Sequence, residues 1–515
     1  MQCIVNASLH ATIVVLSLWW VGRHVTRGWL LFIAGMLAVL VGSPIAWENI
    51  LAGFQSQFYF LIALSLGGIG GVVSSRAGSV RWILAALACF AAVVSMGSGM
   101  LCGAPLIFVG LLRALLRPAE RRDALALLSL GAVVVAVGAY FYVPAPHHAG
   151  LRPQSVLQFL VYFARCLSWP WYDWPWLSAV IWTPWSLLLF RWLKTLRTRV
   201  DTTSDILIAS GLWVLAQTAA VSYARGASGI YPSARYGDIT GLGVALGLIV
   251  MARLALRHPL RWRLMAGAHA ILLIVAAAMA TRAIFANDLY RVKSDALTYE
   301  ANVRAFLLTN DESHLKPGAI PFPHAGWLRD QLRNAWITDI LPASVRRPLP
   351  LDGFHQFDPA RLPHRPIKEM MSGSGWKSAT LPAGTGWWKI ETTGDLGGPD
   401  ASLTLVSATH GAVLASVSPT KNAQTHWRAA YVRVPAEPFH IVATTHGSGY
   451  FAFSQPIAVS NLSYGAFRLG KQGLPLLALG ILLLIPTALA LRRPQPAAPA
   501  HVSGERLPGV LTHPI

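Results

Sequence analysis

Charged residues are scarce in this sequence. Only 12% of its 515 residues are Asp, Glu, Lys or Arg, whereas 54% are hydrophobic and the mean hydropathy is +0.48. A soluble domain carries about a quarter charged residues, so roughly half of the usual charge is missing. This shortage excludes an ordinary soluble protein and predicts that the lipid bilayer surrounds most of the chain.

Acidic residues are the scarcer of the two signs, since 22 Asp and Glu stand against 42 Lys and Arg, a formal net charge of +20. Such an excess in a soluble protein would indicate nucleic-acid binding. Here most of the Lys and Arg lie in short loops between hydrophobic runs, where they orient a membrane protein. No nucleic-acid partner is therefore predicted.

Cysteine is also rare. The four residues Cys3, Cys89, Cys102 and Cys166 form no CxxC pair and have no His at ligand spacing, so neither a structural disulfide nor a zinc site is predicted. Cys89 and Cys102 are expected to pack as small buried apolar residues. No residues of the sequence indicate a metal site or a cofactor.

Long hydrophobic runs, by contrast, are abundant. A membrane-spanning helix needs about 20 mostly apolar residues, and the chain offers this length repeatedly. The predicted fold is a polytopic α-helical membrane protein with about 11 spans. The predicted spans cover residues 4–22, 28–46, 57–75, 82–98, 101–116, 124–143, 176–193, 205–223, 238–256, 264–283 and 473–491.

Loop charge gives an independent test of these spans. Alternate loops carry clusters of basic residues, such as Arg23 with Arg27 and Arg121 with Arg122, whereas the loops between them are poor in Lys and Arg. The positive-inside rule places the basic loops in the cytoplasm. The alternation requires that the aromatic-rich segment 155–176 is interfacial or re-entrant on the outer side. The C-terminus then lies inside and the N-terminus outside, which an uncleaved first span or a missing upstream helix would explain.

Residues 284–472 interrupt the hydrophobic pattern and are long enough for an extracytoplasmic α+β region. Helical periodicity gives way near residue 350 to an alternation with a period of two, typical of the short strands of a β-sandwich. The predicted organisation is a transmembrane helical domain 1–283, an extracytoplasmic helical segment 284–350, an extracytoplasmic β-sandwich 351–470, a final span 471–493 and a disordered cytoplasmic tail 494–515.

The predicted sandwich is rich in aromatic residues. The face of an aromatic ring packs against the C–H face of a sugar, so Trp387, Trp388 and Trp427 are predicted to bind glycan. The alternative is that these rings fill the core of the sandwich.

Glu48 is the acidic residue of greatest interest, because the outer loops of the first 280 residues hold few carboxylates. A carboxylate facing a cavity at the membrane surface is a candidate general base for an acceptor hydroxyl. Asn49, Gln55 and Gln57 follow it and are predicted to bind substrate. The alternative is that Glu48 caps a neighbouring helix end.

A second polar constellation lies in the sequence "YARGASGIYPSARYGDI". An Arg side chain presents a planar fork that matches phosphate oxygens. We therefore predict that Arg225, Tyr231, Arg235, Tyr236 and Asp238 bind the phosphate head group of a lipid-linked substrate. The alternative is that Arg235 and Asp238, three residues apart, pair at the start of a helix.

At these residues the chain resembles a family of bacterial multispanning proteins associated with the GT-C class of glycosyltransferases. The resemblance is carried by "WENILAGFQSQF", "YPSARYGDI", the motifs "NVRAFLLTNDESHL" and "DILPASVRRPL", and the terminal sandwich. The segment "VRVPAEPFHIVATTHGSGYFAFSQPIAVSNLS" is also similar to the carbohydrate-binding domain of mycobacterial arabinosyltransferases.

The resemblance implies transfer of a sugar from a polyprenyl-phosphate carrier to a cell-envelope glycan, on the periplasmic side of the bacterial inner membrane. Enzymes of this class carry a catalytic carboxylate in the outer loop after the first span, whereas the first span here ends in a basic loop. Mapping that carboxylate onto Glu48 is a hypothesis. The divalent cation that some members need is not assigned by these residues.

Two other functions remain open at this stage. One is a non-catalytic membrane scaffold that binds glycan through the sandwich. The other is a flippase or polymerase of lipid-linked sugars, which the scarcity of charge within the spans disfavours.

Overall fold

The computed structural model divides the chain into two compact units, one formed by residues 2–282 and the other beginning at residue 283. The structure describes residues 2–51, 55–143, 146–198, 200–229, 231–255, 259–322, 324–334, 336–337, 341, 345, 349, 351–356, 366–419 and 423–471.

The first unit is helical throughout its described residues. Its helices are α1 (Gln2–Val21), α2 (Arg27–Gly42), α3 (Trp47–Leu51), α4 (Ser56–Ser74), α5 (Val80–Ser95), α6 (Gly103–Leu116), α7 (Arg121–Tyr140), α8 (Val156–Leu167), α9 (Leu177–Thr195), α10 (Thr202–Arg225), α11 (Gly237–Ala255) and α12 (Pro259–Ala283). We call the helix ends beside the loops 43–57, 96–105, 143–154 and 223–238 the charge-poor end, and the opposite helix ends the basic end.

Eight helices in the described part of the chain are long and apolar enough to cross a membrane. This number confirms a polytopic membrane protein but not the predicted eleven spans. The predicted span 82–98 corresponds to α5, which has only 16 residues. The predicted span 176–193 corresponds to α9, whose last turns carry Arg191 and Lys194 and are therefore less hydrophobic. The predicted span 473–491 lies outside the described residues.

Glycine permits the closest helix pairs of this unit. A Cβ added to Gly68 would lie 2.6 Å from Cys89 Sγ, and one added to Gly71 would lie 2.4 Å from Ala85 Cβ, so α4 and α5 approach through these positions. Gly131 similarly allows α7 to meet α6. Small residues let helix backbones approach in membranes, where apolar surface alone does not drive association.

Helix α10 lies at the centre of the unit, in contact with α4, α6, α8, α9 and α11. Large rings from α9 enter spaces left by glycine, since a Cβ on Gly211 would meet the ring of Trp185 and a Cβ on Gly243 would meet that of Trp182. Bulky and small residues thereby interdigitate, as close packing requires.

The segment predicted not to cross the membrane contains the short helix α8. Its 12 residues span about 18 Å, less than the bilayer core of about 30 Å. One side of α8 buries Tyr162 and Cys166, whereas Val156 and Leu157 on another side are exposed. This length and amphipathic character fit an interfacial segment.

A buried ionic cluster lies at the basic end, in spans that the sequence had indicated to be nearly free of charge. Asp205 of α10 accepts hydrogen bonds from Arg113 and Arg117, the latter at 3.0 Å, and from the indole of Trp192. Arg117 also donates through Nε to the carbonyl oxygen of Leu196 at 2.8 Å. The cluster ties α10 to α6 and α9.

The second unit begins with a π-helical turn (Ile284–Asp288), which leads into α13 (Leu289–Thr309), and continues with α14 (Ala325–Leu332). Val303, Phe306 and Leu307 of α13 form a small hydrophobic core, to which Leu332 of α14 contributes. This arrangement agrees with the predicted helical character of the segment after residue 284.

Ten strands follow in the same unit. They are β1 (His355–Gln356), β2 (Pro366–Met370), β3 (Gly375–Lys377), β4 (Trp387–Gly394), β5 (Ala401–Ser407), β6 (Val413–Ser416), β7 (Ala423–Arg433), β8 (Phe439–Thr445), β9 (Phe451–Ser454) and β10 (Ile457–Val459), and helix α15 (Asn461–Lys471) comes after them.

The strands form two antiparallel sheets with a common core. One sheet has the order β1-β2-β9-β4-β10 with β7 also paired to β4, and the other has the order β3-β8-β5-β6. Burial alternates along β4 and β8, and Ile390 and Phe453 of the first sheet share one buried cluster with Leu405 and Ile441 of the second. Two sheets packed face to face in this way have the architecture of a β-sandwich.

Candidate functional site

The two polar segments singled out in the sequence meet at the charge-poor end. Asn49 of α3 donates through Nδ2 to the carbonyl oxygen of Arg235 at 2.7 Å and to Asp238 Oδ2 at 2.8 Å. Asn49 itself is buried. These partners are almost 190 residues apart in sequence, so the fold brings two separate sequence motifs into contact.

Glu48 joins this cluster through one carboxylate oxygen. Its Oε2 accepts hydrogen bonds from the hydroxyl of Ser233 at 2.5 Å and from the backbone N–H of Arg235 at 3.2 Å. These donors lie at the start of the 3₁₀ turn Ala234–Tyr236 that leads into α11, so Oε2 satisfies one N–H group at a helix start. The capping role weighed in the sequence is therefore present, and the catalytic role of Glu48 stays a prediction.

His10 and Tyr59 complete the cluster and were missed in the sequence. His10 Nε2 lies 3.3 Å from Asp238 Oδ1, and its ring stacks on that of Tyr59 at 5.3 Å between centroids. The Tyr59 hydroxyl faces the same carboxylate, whose side chain is only 8% exposed. An ionisable residue inside an apolar run is the signal that could have identified His10.

Several buried polar atoms of this region have no hydrogen-bond partner within the described part of the chain. They include Trp47 Nε1, Asn49 Oδ1, Gln55 Oε1, the Tyr59 hydroxyl, Trp169 Nε1 and Arg235 Nε. Most buried polar groups in proteins are paired, so a group of unsatisfied atoms in one place needs an explanation. Donors and acceptors are both present, as the binding of a polar ligand or ordered water requires.

A cavity of about 70 Å³ adjoins the cluster. His10, Tyr59, Asp238 and Trp169 line it, together with apolar residues such as Leu40. Its volume holds a few water molecules, which is less than a sugar phosphate requires. In this conformation the cavity admits water or the tip of a larger substrate.

The other predicted substrate-binding residues are more dispersed. Tyr236 packs edge-to-face against Phe58, and the Arg235 guanidinium lies 5.3 Å from the Tyr236 ring centroid. Gln57 is partly buried in the first turn of α4, and Arg225 is the last residue of α10.

Tyr231 belongs to a different group of side chains on the aromatic-rich segment. Its hydroxyl donates to Asp173 Oδ1 at 2.6 Å, and the Arg165 guanidinium lies 5.9 Å from its ring. The hydrogen bond to Asp173 raises the pKa of Tyr231. The structure records no contact of Tyr231 with Glu48 or Asp238 among the described residues.

Two of the three predicted glycan-binding tryptophans have protein partners on their rings. Trp388 is 7% exposed and packs in the sandwich core, 5.2 Å from Phe439, so its ring cannot contact a glycan at the surface. Trp387 points to the other face, where Tyr464 of α15 stacks on it at 3.6 Å. For Trp427, partly buried on β7, glycan binding stays a prediction.

Metal ligands do not cluster in the described ranges, where no three His, Cys, Asp or Glu side chains could hold one ion.

No protein-family model matches this chain, and no curated protein does. Among solved structures, the chain is similar to arabinosyltransferase EmbB from Mycobacterium smegmatis, with 13% sequence identity and a TM-score of 0.27. The similarity covers 87% of this chain and 56% of that chain, so this chain spans about half the length of EmbB. The functional interpretation rests on the residues of the cluster.

Proposed function

We propose that this protein is a membrane glycosyltransferase that moves a sugar from a polyprenyl-phosphate carrier to a cell-envelope glycan. The observation that carries the proposal is the convergence of Glu48, Arg235 and Asp238 into one cluster with unsatisfied buried polar atoms. The cluster lies at the charge-poor end, which the positive-inside rule assigns to the periplasmic side of the inner membrane.

The proposed reaction is a single displacement. The acceptor hydroxyl oxygen attacks the anomeric carbon of the sugar, and its proton passes to Glu48 Oε1, the oxygen not engaged by Ser233 and the Arg235 N–H. The bond from the anomeric carbon to the carrier phosphate oxygen breaks, and the electron pair leaves with the phosphate. Arg235 stabilises that phosphate, because a guanidinium forms strong charge-assisted hydrogen bonds with phosphate oxygens and its Nε has no partner among the described residues.

Asp238 and His10 take a positioning role in this proposal. The Asp238 carboxylate accepts from Asn49 and lies beside His10 and Tyr59, so it fixes three side chains in one geometry. A reacting group held in a fixed geometry gains rate because less entropy is lost in the transition state.

The test uses the full chain in lipid nanodiscs with radiolabelled polyprenyl-phosphate pentoses and hexoses, including arabinose, and with soluble fragments of envelope glycan. Glu48→Gln keeps an oxygen that can accept from Ser233 and the Arg235 N–H but removes the base. We expect its transfer rate to fall by about 100-fold or more, with an unchanged thermal midpoint. Arg235→Gln should also lose transfer.

Glu120→Gln is the matched control, because it removes a carboxylate at the basic end, away from the Glu48 cluster, that pairs with Arg117 in an i,i+3 contact. Transfer by Glu120→Gln should equal that of the wild type. Equal transfer by Glu48→Gln and wild type would remove Glu48 from the mechanism. Binding of glycan without transfer from any carrier would instead favour the scaffold.

A further inference from the structure

A larger cavity, of about 800 Å³, extends to the basic end of the first unit. Helices α1, α4, α5, α10 and α11 all contribute to its wall, and it shares Ile13 and Leu242 with the smaller cavity. Binding pockets for organic ligands measure about 300–1,000 Å³. The cavity is therefore large enough for one organic molecule.

This cavity exists because helices α4 and α5 carry small residues along its wall. Gly67 and Gly70 of α4 and Ala88 of α5 line the cavity. A Cβ on Gly67 would meet no atom within 4 Å, and one on Gly70 would meet only Ile206 Cγ2 at 4.0 Å. These glycines thus differ from Gly68 and Gly71, where the neighbouring helix fills the space.

One end of the cavity is polar and cationic. Arg23, Arg81, His24 and Ser74 line it at the basic end, where Thr202 and Thr203 begin α10. The remaining wall is mostly apolar. The cavity therefore matches an amphipathic ligand whose polar head lies at the basic end and whose apolar tail lies along the apolar wall.

Two arginines at this end of the cavity, Arg23 and Arg81, carry positive charge that no acidic side chain of the described residues pairs with. Both residues are exposed. Arg253 nearby differs, because it pairs with Asp201 at 2.9 Å. Two guanidinium groups at the mouth of the cavity are therefore available for an anion.

The neighbouring side chains support the same conclusion. The Arg23 guanidinium lies 3.6 Å from the Trp19 ring centroid, a contact that holds the cation in place. Burial, with Arg253 and Arg23 next, lowers the pKa of His24, against the opposite effect of Asp201. The net electrostatic effect of these charges at the mouth is positive, which favours an anion there.

We propose that this cavity binds an anionic glycerophospholipid of the leaflet at the basic end. Its phosphate contacts Arg23 and Arg81, and an acyl chain lies against the small residues of α4 and α5. From Thr202 to Val214, both at the cavity wall, helix α10 rises about 18 Å, more than half of a bilayer core of about 30 Å. Basic pockets between membrane helices bind anionic head groups in this way.

The test measures lipid retention by the full chain. The protein is reconstituted with equal amounts of dioleoyl phosphatidylglycerol and dioleoyl phosphatidylcholine, extracted in mild detergent, and examined by native mass spectrometry. We expect retention of the phosphatidylglycerol in preference to the zwitterionic lipid. Arg23→Gln with Arg81→Gln should lower this preference by about 30-fold, because the lipid phosphate loses two direct contacts with guanidinium groups.

The control for charge is Arg27→Gln with Arg121→Gln, two exposed arginines of the basic loops that do not line the cavity. This variant should retain phosphatidylglycerol as the wild type does. An equal loss in both double variants would assign the preference to diffuse charge and overturn the proposal. So would equal retention of the two lipids by the wild type.

The tail is tested separately with Gly67→Leu, which fills the wall without changing charge. Its control is Gly35→Leu, since a Cβ at Gly35 also meets no atom within 4 Å but does not line the cavity. We expect only Gly67→Leu to lose phosphatidylglycerol, and excess inorganic phosphate to leave the wild-type complex intact. Retention by Gly67→Leu, or displacement by phosphate, would contradict binding of the acyl chain in the cavity.

Discussion

At the scale of single residues, Asp205 is the side chain on which most of the buried charge depends. It is fully buried and accepts from two arginines and from Trp192. Charges of this kind are stable in a protein interior only when they are paired and hydrogen-bonded. Arg113 and Arg117 can therefore remain buried between helices because Asp205 stands opposite them.

Replacement of Asp205 by Asn should destabilise the helical unit strongly. The variant keeps the size of the side chain but removes the carboxylate that both arginines share, so Arg113 stays buried beside a neutral amide and Arg117 keeps its contact with the partly exposed Glu120. Loss of one partner of a buried ion pair costs about 3–5 kcal/mol. We expect a lower midpoint of thermal unfolding in detergent.

Glu120→Gln provides the comparison for this variant, because its pair with Arg117 is partly exposed, with 27% of the Glu120 side chain accessible. Its loss should cost about 1 kcal/mol or less. Equal midpoints for Asp205→Asn and Glu120→Gln would show that the cluster adds little stability.

The candidate site shows which of its residues could be predicted from the sequence and which could not. Glu48 is predicted because outer loops hold few carboxylates, and Arg235 with Asp238 because a guanidinium matches phosphate oxygens; these residues do meet in the structure. Their contact could not be predicted, because nothing in a single sequence links positions almost 190 residues apart. His10 was missed because it lies within a hydrophobic run, and such a run predicts only a membrane span.

At the scale of helices, hydrophobic length predicted the elements well. The span expected at 57–75 is α4, Ser56–Ser74, and the one expected at 205–223 lies within α10, Thr202–Arg225. The fit is good because burial of a continuous apolar run depends on local composition. Which helices touch depends instead on glycines such as Gly68 and Gly211, whose partners lie on other helices.

Gly211 should be more sensitive to substitution than a typical membrane glycine. A Cβ there would lie 1.9 Å from Trp185 Nε1, an atom that donates to the Leu207 carbonyl oxygen at 3.0 Å. Gly211→Ala should therefore displace the Trp185 ring and cost about 1–3 kcal/mol through overpacking. The midpoint of thermal unfolding in detergent measures the effect.

Gly35→Ala is the matched control, because a Cβ at Gly35 meets no atom within 4 Å. It should leave the midpoint unchanged or raise it slightly, since Ala favours a helix over Gly by about 1 kcal/mol. An unchanged or raised midpoint in Gly211→Ala as well would mean that Trp185 adapts and that Gly211 matters only through helix propensity.

The prediction that Trp387 and Trp388 both bind glycan conflicts with the period of two along a strand. Trp387 and Trp388 are consecutive in β4, and successive side chains of a strand point to opposite faces. Both rings therefore cannot face one glycan, and the structure places Trp388 in the core. The cover that Tyr464 provides over Trp387 was not predictable, since it requires helix α15 to pack against that face.

At the scale of the whole molecule, the distribution of basic residues makes a prediction about orientation. In a Cys3→Ser background, the exposed positions Ser228, at the charge-poor end, and Gly28, at the basic end, can each be replaced by cysteine. A membrane-impermeant maleimide should label Ser228→Cys in intact spheroplasts and leave Gly28→Cys unlabelled, because basic loops remain in the cytoplasm.

Inverted membrane vesicles supply the reciprocal measurement, in which Gly28→Cys should be labelled and Ser228→Cys protected. Labelling of both positions from the same side would contradict the alternation of spans. Labelling of Gly28→Cys alone in spheroplasts would reverse the orientation and place the Glu48 cluster in the cytoplasm.

The Asp205 cluster also has a consequence for biogenesis. Arg117 is synthesised 88 residues before Asp205, which is about 4–18 seconds at roughly 5–20 residues per second. During that interval Arg113 and Arg117 have no counter-ion from α10, so their loop presents its full positive charge while the orientation of α6 and α7 is decided. Once α10 arrives, Asp205 offsets one of these charges and allows both side chains to be buried. The same two arginines thus act first as a topological signal and later as part of the packed bundle.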